Sequence, residues 1–155
     1  MCIRDSNVPM RLYKGIVPPA FTAKRNLGYV GYVTAITGPN LWHLQALWLA
    51  AFLSFTEDTP HGLQIAATRE EIEKETILHS QWGKLRAPLG QGPWHLDLFL
   101  DQLPYCDMLL ESLGLQRWRK CQGWFGWMMP WKEWFVPYGQ SDWRGVVGEF
   151  MEKGR

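Results

Sequence analysis

The residue types that most often carry catalysis or bind metal are scattered through this sequence of 155 residues. It contains no HExxH or CxxC motif and no cluster of His and Cys at metal-ligand spacing. There is no GxSxG nucleophile motif, and the neighbours Ser141 and Asp142 have no histidine at a suitable spacing. The four histidines stand far apart, so we interpret each as a surface or core residue rather than a catalytic base. They are His43, His61, His79 and His95. The sequence therefore predicts neither a self-contained catalytic site nor a metal site.

A glycine-rich stretch at residues 90–95, Gly-Gln-Gly-Pro-Trp-His, begins like a dinucleotide-binding fingerprint. His95 stands where the third glycine belongs, and Pro93 directly follows the second glycine. The stretch also follows a predicted helix, whereas the fingerprint follows a strand. We interpret it as a loop.

Tryptophan is unusually abundant, with 10 residues, and four of them fall at intervals of three, four and three. These are Trp124, Trp127, Trp131 and Trp134, and Pro130 interrupts any helix that would align them. Packing in a core or at a domain interface is the favoured interpretation. A belt at a membrane interface, a stacking platform for sugars or bases, and a wall of a substrate channel remain open.

Charge and hydropathy exclude several classes of protein. Lys and Arg number 16 against 15 Asp and Glu, so there is no polybasic arm or acidic tail, and we expect no nucleic-acid partner. The longest apolar run, 41–55, is too short to span a bilayer and carries His43 and Gln45. We therefore expect no transmembrane helix, and a peripheral membrane segment is kept as an alternative interpretation. The isolated thiols Cys106 and Cys121 suggest a reducing, cytoplasmic location.

The first six residues, Met-Cys-Ile-Arg-Asp-Ser, are interpreted as foreign to the protein. The codons ATG TGT ATA AGA GAC AG, from the end of a sequencing-library transposon, translate to this peptide. Residues 1–6 are therefore excluded from structural reasoning. We expect the natural chain to enter near Asn7, already within a longer protein.

Secondary structure follows from the spacing of apolar residues. Residues 7–22 should form an extended stretch or an edge strand that is broken at the diproline 18–19. Residues 26–33 form a short β-prone run that predicts a buried strand. After a polar break, helical spacing predicts a helix over about 40–55, with more apolar surface than this chain can cover. Its apolar residues are Leu41, Leu44, Leu47, Trp48, Ala51 and Phe52.

The second half of the sequence predicts further helices. Thr68 stands three residues before Glu71, a capping box that opens a helix reaching about residue 84. A second helix opens at Leu103-Pro104 and ends before Gly114, and a short one follows near Val146. One strand without a partner cannot form a sheet, so we expect its partner strands in protein missing from the N-terminus.

Residues 26–31, Asn-Leu-Gly-Tyr-Val-Gly, and 44–53, Leu-Gln-Ala-Leu-Trp-Leu-Ala-Ala-Phe-Leu, resemble the C-terminal closure of the FAD domain in flavin-containing monooxygenases. Residues 12–19 are similar to the segment before that strand. Residues 103–115 and 137–145 resemble the helical tail of the fungal and bacterial flavin-binding monooxygenase-like branch. The similarity covers most of the chain after Ser6.

The resemblance implies an α/β fragment, mainly α: the last strand and helix of a Rossmann-like FAD-binding domain (7–56) and a Trp-rich helical C-terminal extension (57–155). In the parent enzyme, NADPH would reduce FAD, and oxygen would add to form a peroxyflavin that oxygenates a small organic substrate. The glycine-rich FAD and NADPH motifs are absent here, so the fragment should neither retain FAD nor be active alone. The candidate flavin-proximal residues are Gly31, Tyr32, Thr37, Gly38, Asn40 and Leu41.

Two partners are implied, the missing N-terminal FAD- and NADPH-binding portion of the same chain and a small-molecule substrate. The alternative interpretation is a non-enzymatic, Trp-rich helical binding or interface module. Upstream sequence with GxGxxG after a strand would favour the enzyme.

Overall fold

The computed structural model describes residues 11–33, 35, 38–54, 63, 68–86, 101–120 and 138–153, and these are mainly helical. Their four α-helices are α1 (Gly38–Ser54), α2 (Arg69–Arg86), α3 (Gln102–Ser112) and α4 (Val146–Lys153). Two short 3-10 helices cover Pro19–Phe21 and Gln140–Trp143. The mainly helical part of the fold prediction is confirmed.

The strand predicted over 26–33 does not form in the described residues. These residues form no ladder; the backbone N–H of Tyr29 instead donates to the carbonyl oxygen of Ile16 at 2.8 Å. The single bridge in the described part of the chain joins Tyr13 and Val17. A β-prone sequence needs a neighbouring strand to complete its hydrogen bonds, and no described segment supplies one. The strand expected to close a Rossmann-like sheet is therefore not shown.

In the described part of the N-terminal segment, residues 11–22, Tyr13–Val17 form a tight turn rather than the predicted extended stretch or edge strand. The N–H of Tyr13 donates to the oxygen of Val17 at 2.7 Å, and the N–H of Val17 donates back at 3.1 Å. Lys14 and Gly15, with φ of 51° and 67°, lie at the turn. The diproline does interrupt the chain, because Pro19 opens the 3-10 helix as its first residue.

Helix boundaries lie close to those predicted. α1 covers 38–54 against the predicted 40–55. The predicted capping box of α2 is present, since the N–H of Glu71 donates to Oγ1 of Thr68 at 3.2 Å and the N–H of Thr68 donates to Glu71 Oε2 at 3.1 Å. α3 begins one residue before Leu103 and is followed by Gly114 with a φ of 67°, as predicted.

The core lies where α1 packs on α3 and on the Tyr13–Val17 turn. Five of the six apolar α1 residues named from the sequence are buried and Leu47 is half-buried, so the prediction that this chain could not cover them is wrong. The turn and α3 do so with Tyr13, Ile16, Leu109 and Leu110. What stays uncovered is the opposite side of α1, where Trp42 and Leu53 are each 44% exposed.

Arg119 ties the C-terminal helix to the chain that follows α3. Its side chain is only 2% exposed and pairs with Glu149 of α4, with Nη1 and Oε2 2.6 Å apart. Its Nε also donates to the carbonyl oxygen of Asp142 at 3.4 Å. A buried guanidinium needs such partners, so this pair orients α4.

Several sequence predictions fall outside the described residues. These concern the foreign segment 1–6, the flavin-proximal position Thr37, the loop 90–95 and the tryptophans of 124–134. Within the described helices, none is both long enough and apolar enough to cross a bilayer.

Candidate functional site

The predicted flavin-proximal residues lie around the start of α1. Gly38 is the first residue of this helix, Asn40 and Leu41 belong to its first turn, and Gly31 and Tyr32 precede it. In the structure, Gly31 and Gly38 both lie beside the indole of Trp42, a residue that the sequence alone did not single out.

The Trp42 indole packs closely against Gly38 and lies beside the exposed Gly31. A Cβ atom added to Gly38 would lie 2.8 Å from Cζ2 of Trp42, closer than any carbon contact allows. A Cβ added to Gly31 would lie 3.7 Å from Nε1 of the same ring. Because the indole is still 44% exposed, it forms an aromatic surface beside the start of α1.

Gly31 is held in a conformation that other residues rarely adopt, with a φ of 83°. Its backbone N–H donates to Oε1 of Gln45 at 2.9 Å. The Gly31 amide is therefore already paired within the protein. What Gly31 can offer a cofactor is close approach of its exposed backbone rather than a free N–H.

The remaining predicted residues divide by burial. The Leu41 side chain is fully buried in the core, so only its backbone could face a cofactor. Asn40 and Tyr32 are half-buried, and Tyr32 is already engaged in an interaction within the protein. Gly38 is buried. The structure thus leaves Gly31 and Asn40 at an accessible surface and assigns Gly38 and the side chain of Leu41 to packing.

The electrostatics at the start of α1 favour an electron-rich group. The first backbone N–H groups of a helix have no acceptor within it, and they form the positive end of its dipole. No acidic residue stands in the first turn of α1 to neutralise that end. Together with the exposed Gly31 backbone and the Trp42 indole, this surface fits one edge of a planar, electron-rich ring such as a flavin.

Behind this surface a chain of buried hydrogen bonds leads into the core. Nε2 of Gln45 donates to the Tyr105 hydroxyl at 2.8 Å, and that hydroxyl donates to the carbonyl oxygen of Lys14 at 2.6 Å. Gln45 is fully buried and Tyr105 is 5% exposed. Burial raises the pKa of Tyr105 well above its usual value, so the hydroxyl remains a neutral donor at physiological pH.

Sequence reasoning missed Trp42, Gln45 and Tyr105 as contributors to this region. Gln45 carried a usable signal, because a lone amide on an otherwise apolar helix face requires a buried partner. Trp42 carried none, since an indole in an apolar helix looks like any other core residue.

The other described groups with a shifted pKa lie on α2 and α3. Nζ of Lys14 lies 3.0 Å from Oε1 of Glu75, one turn before His79 on α2. Burial lowers the pKa of His79, and burial raises the pKa of the Cys106 thiol to about 12, which leaves that thiol unreactive. No group of metal-binding side chains occurs among the residues that the structure describes.

Proteins named FAD-dependent monooxygenases align with nearly the whole chain. The FAD-dependent monooxygenase DEP4 of Fusarium langsethiae is 31% identical over 149 residues, which are 95% of this chain and 23% of the relative. DEP4 of Alternaria brassicicola is 28% identical over 96% of this chain and 23% of its own length. The FAD-dependent monooxygenase avaB of Aspergillus versicolor is 32% identical over 94% of this chain and 19% of its own.

No protein-family model and no solved structure matches the chain. The chain spans about a fifth of the length of these curated relatives. Along almost all of its residues, it is homologous to a segment of the FAD-dependent monooxygenases.

Proposed function

We propose that this chain is one segment of an FAD- and NADPH-dependent monooxygenase that oxygenates small organic substrates. The observation that carries the proposal is the identity of about 30% along 94–96% of the chain to proteins named FAD-dependent monooxygenases. The NADPH dependence is proposed from the resemblance in sequence alone. When bound and reduced by NADPH, the flavin supplies the activation of molecular oxygen. The chain itself supplies part of the flavin surroundings.

Within the parent enzyme, the start of α1 is the part of this chain placed beside the flavin. Asn40 would present the positive end of the helix, Gly38 would make room for the Trp42 indole beside it, and Gly31 would allow close approach of backbone to the ring. Tyr32, Thr37 and the backbone of Leu41 complete the candidate set on sequence grounds. The indole of Trp42 adds an apolar wall that keeps water from this edge.

The uncovered side of α1 is the proposed contact with the rest of the parent protein. Trp42, Ala46, Ala50 and Leu53 are all exposed, and they recur at helical spacing along that side. This surface is continuous with the candidate flavin edge through Trp42. Residues 7–56 would then complete the FAD-binding domain, and residues 57–155 would form its helical extension.

A chimera tests the proposal directly. The homologous stretch of Fusarium langsethiae DEP4 is replaced by the aligned residues of this chain, without residues 1–6. The purified protein is assayed for bound flavin and for substrate-dependent oxidation of NADPH. We expect the chimera to hold FAD and to oxidise NADPH faster than NADH. The 155-residue chain purified alone should lose FAD on gel filtration, because it lacks both glycine-rich cradles.

Two results would contradict the proposal. A chimera that folds but binds no flavin would remove the assigned function and favour a non-enzymatic helical module. Stoichiometric FAD retained by the chain alone would show that the site is complete within these residues.

A further inference from the structure

Three segments distant in sequence meet at the buried amide of Gln45. The Gly31 N–H donates to its Oε1 at 2.9 Å, and its Nε2 donates to the Tyr105 hydroxyl at 2.8 Å. That hydroxyl in turn donates to the Lys14 carbonyl oxygen at 2.6 Å. One side chain of α1 thus joins the loop before the helix to α3 and to the N-terminal turn.

The direction of these bonds explains why an amide is suited to this position. Gln offers one acceptor and two donors, and here the acceptor faces a backbone N–H while a donor faces a hydroxyl. The hydroxyl is left to donate onward to Lys14. An apolar residue at this position would leave the N–H of Gly31 without its partner.

From this geometry we infer that Gln45 is a positioning residue that holds the Gly31 backbone at the flavin edge. The hydrogen bond to the Tyr105 hydroxyl fixes the Gln45 amide in the orientation that this requires. Gly31 has a φ of 83° and is exposed, so packing does little to fix it. Its described anchor is the hydrogen bond to Gln45. This inference rests on the proposed function, because the position of Gly31 affects flavin binding only if the flavin lies beside it.

The structure offers a matched control on the same pair of helices. Nε1 of Trp48 donates to Oγ of Ser112 at 2.7 Å, so Ser112→Ala also removes a buried hydrogen bond between α1 and α3. This bond has no contact with Gly31. A general loss of stability should therefore affect Ser112→Ala as well as Gln45→Leu, whereas a positioning effect should appear only in Gln45→Leu.

The first measurement is amide hydrogen exchange at Gly31 in the 155-residue chain. In Gln45→Leu we expect exchange at this amide to become about tenfold faster or more, because its acceptor is lost. In Ser112→Ala the Gly31 amide should exchange as in the unmodified chain. Equal rates in all three proteins would overturn the anchoring.

The second measurement is the dissociation constant of FAD in the DEP4 chimera carrying the same substitutions. We expect Gln45→Leu to weaken FAD binding about tenfold or more and to shift the visible flavin spectrum, and Ser112→Ala to change neither. Gln45→Glu keeps an acceptor for the Gly31 N–H, so it should bind FAD more tightly than Gln45→Leu does. The difference should be largest at low pH, where the protonated carboxyl also keeps a donor for the Tyr105 hydroxyl.

The outcomes separate the two claims. If the unmodified chimera binds no FAD, the proposed function fails and the positioning role fails with it. If the unmodified chimera binds FAD and Gln45→Leu binds it equally well, only the positioning role is overturned. Equal weakening by Gln45→Leu and Ser112→Ala would also overturn it, since that result indicates general destabilisation.

Discussion

Replacing Trp48 with Ala should be among the most destabilising single changes in the described part of the chain. The side chain is fully buried, stacks on Phe52 with ring centroids 5.2 Å apart, and meets the edge of Tyr13 at 6.2 Å. Its indole N–H donates to Ser112 Oγ at 2.7 Å. Truncating a buried aromatic residue to Ala costs about 3–5 kcal/mol, of which the hydrogen bond and the aromatic pairs each supply about 1 kcal/mol.

Trp48→Phe separates these contributions. A phenyl ring keeps the stacking on Phe52 but cannot donate to Ser112, whose hydroxyl still donates to the carbonyl oxygen of Leu109 at 2.8 Å. Because that hydroxyl is not left without a partner, we expect a cost of only about 1–2 kcal/mol. A double-mutant cycle with Ser112→Ala should then recover a coupling energy of about 1 kcal/mol.

Urea unfolding followed by far-ultraviolet circular dichroism measures these differences as changes in the free energy of unfolding. Trp42→Ala is the control on the same helix, and its cost should stay below about 1 kcal/mol because the indole is 44% exposed. If Trp48→Ala costs less than Trp42→Ala, the assignment of these two residues to the covered and uncovered sides of α1 is wrong.

Three further predictions concern α2. Thr68→Ala removes the reciprocal cap with Glu71 and should lower the free energy of unfolding in urea by about 1 kcal/mol. An unchanged urea midpoint of unfolding would show that the cap contributes nothing. Because the pKa of His79 is lowered in the folded protein, the unfolded chain binds a proton at higher pH, and the free energy of unfolding should fall as pH drops below 6.5. His79→Gln should reduce this dependence of the free energy of unfolding on pH, and an unchanged dependence would refute the assignment. Trp82 is 58% exposed and lies in an apolar stripe with Leu78 and Leu85, so the isolated chain should bind a hydrophobic dye and the Trp82→Gln variant should bind less of it. Equal dye fluorescence of the two proteins would mean that this stripe is covered in solution.

Local signals in the sequence predicted the helices well. The cap at Thr68 and the glycine after α3 act through hydrogen bonds within a few residues, so their consequences do not depend on the rest of the protein. The prediction of a strand over 26–33 was wrong because a strand forms only with a partner strand distant in sequence, which β-propensity alone does not supply.

The candidate site was predictable only in part, for the same physical reason. Gly31 and Gly38 were named from a resemblance in sequence, and their place beside a flavin stays a prediction. The structure adds that the indole of Trp42 lies beside both residues. The acceptor of the Gly31 amide lies 14 residues along the chain, and the Tyr105 hydroxyl lies 60 residues beyond it. Contacts at such separations leave no periodic pattern in the sequence.

The hydrogen bond from Tyr105 to Lys14 joins residues that are 91 positions apart in sequence, and this separation determines when the bond can form during synthesis of the chain. A chain emerging from the ribosome presents Lys14 and Gln45 long before it presents Tyr105. Until α3 has been synthesised, the amide of Gln45 lacks the hydroxyl it donates to and α1 lacks one wall of its core. The segment with Gly31 and the start of α1 should therefore reach its final geometry late, after α3 has left the exit tunnel. In nascent chains that stop before residue 105, this segment should stay accessible to proteases and chaperones.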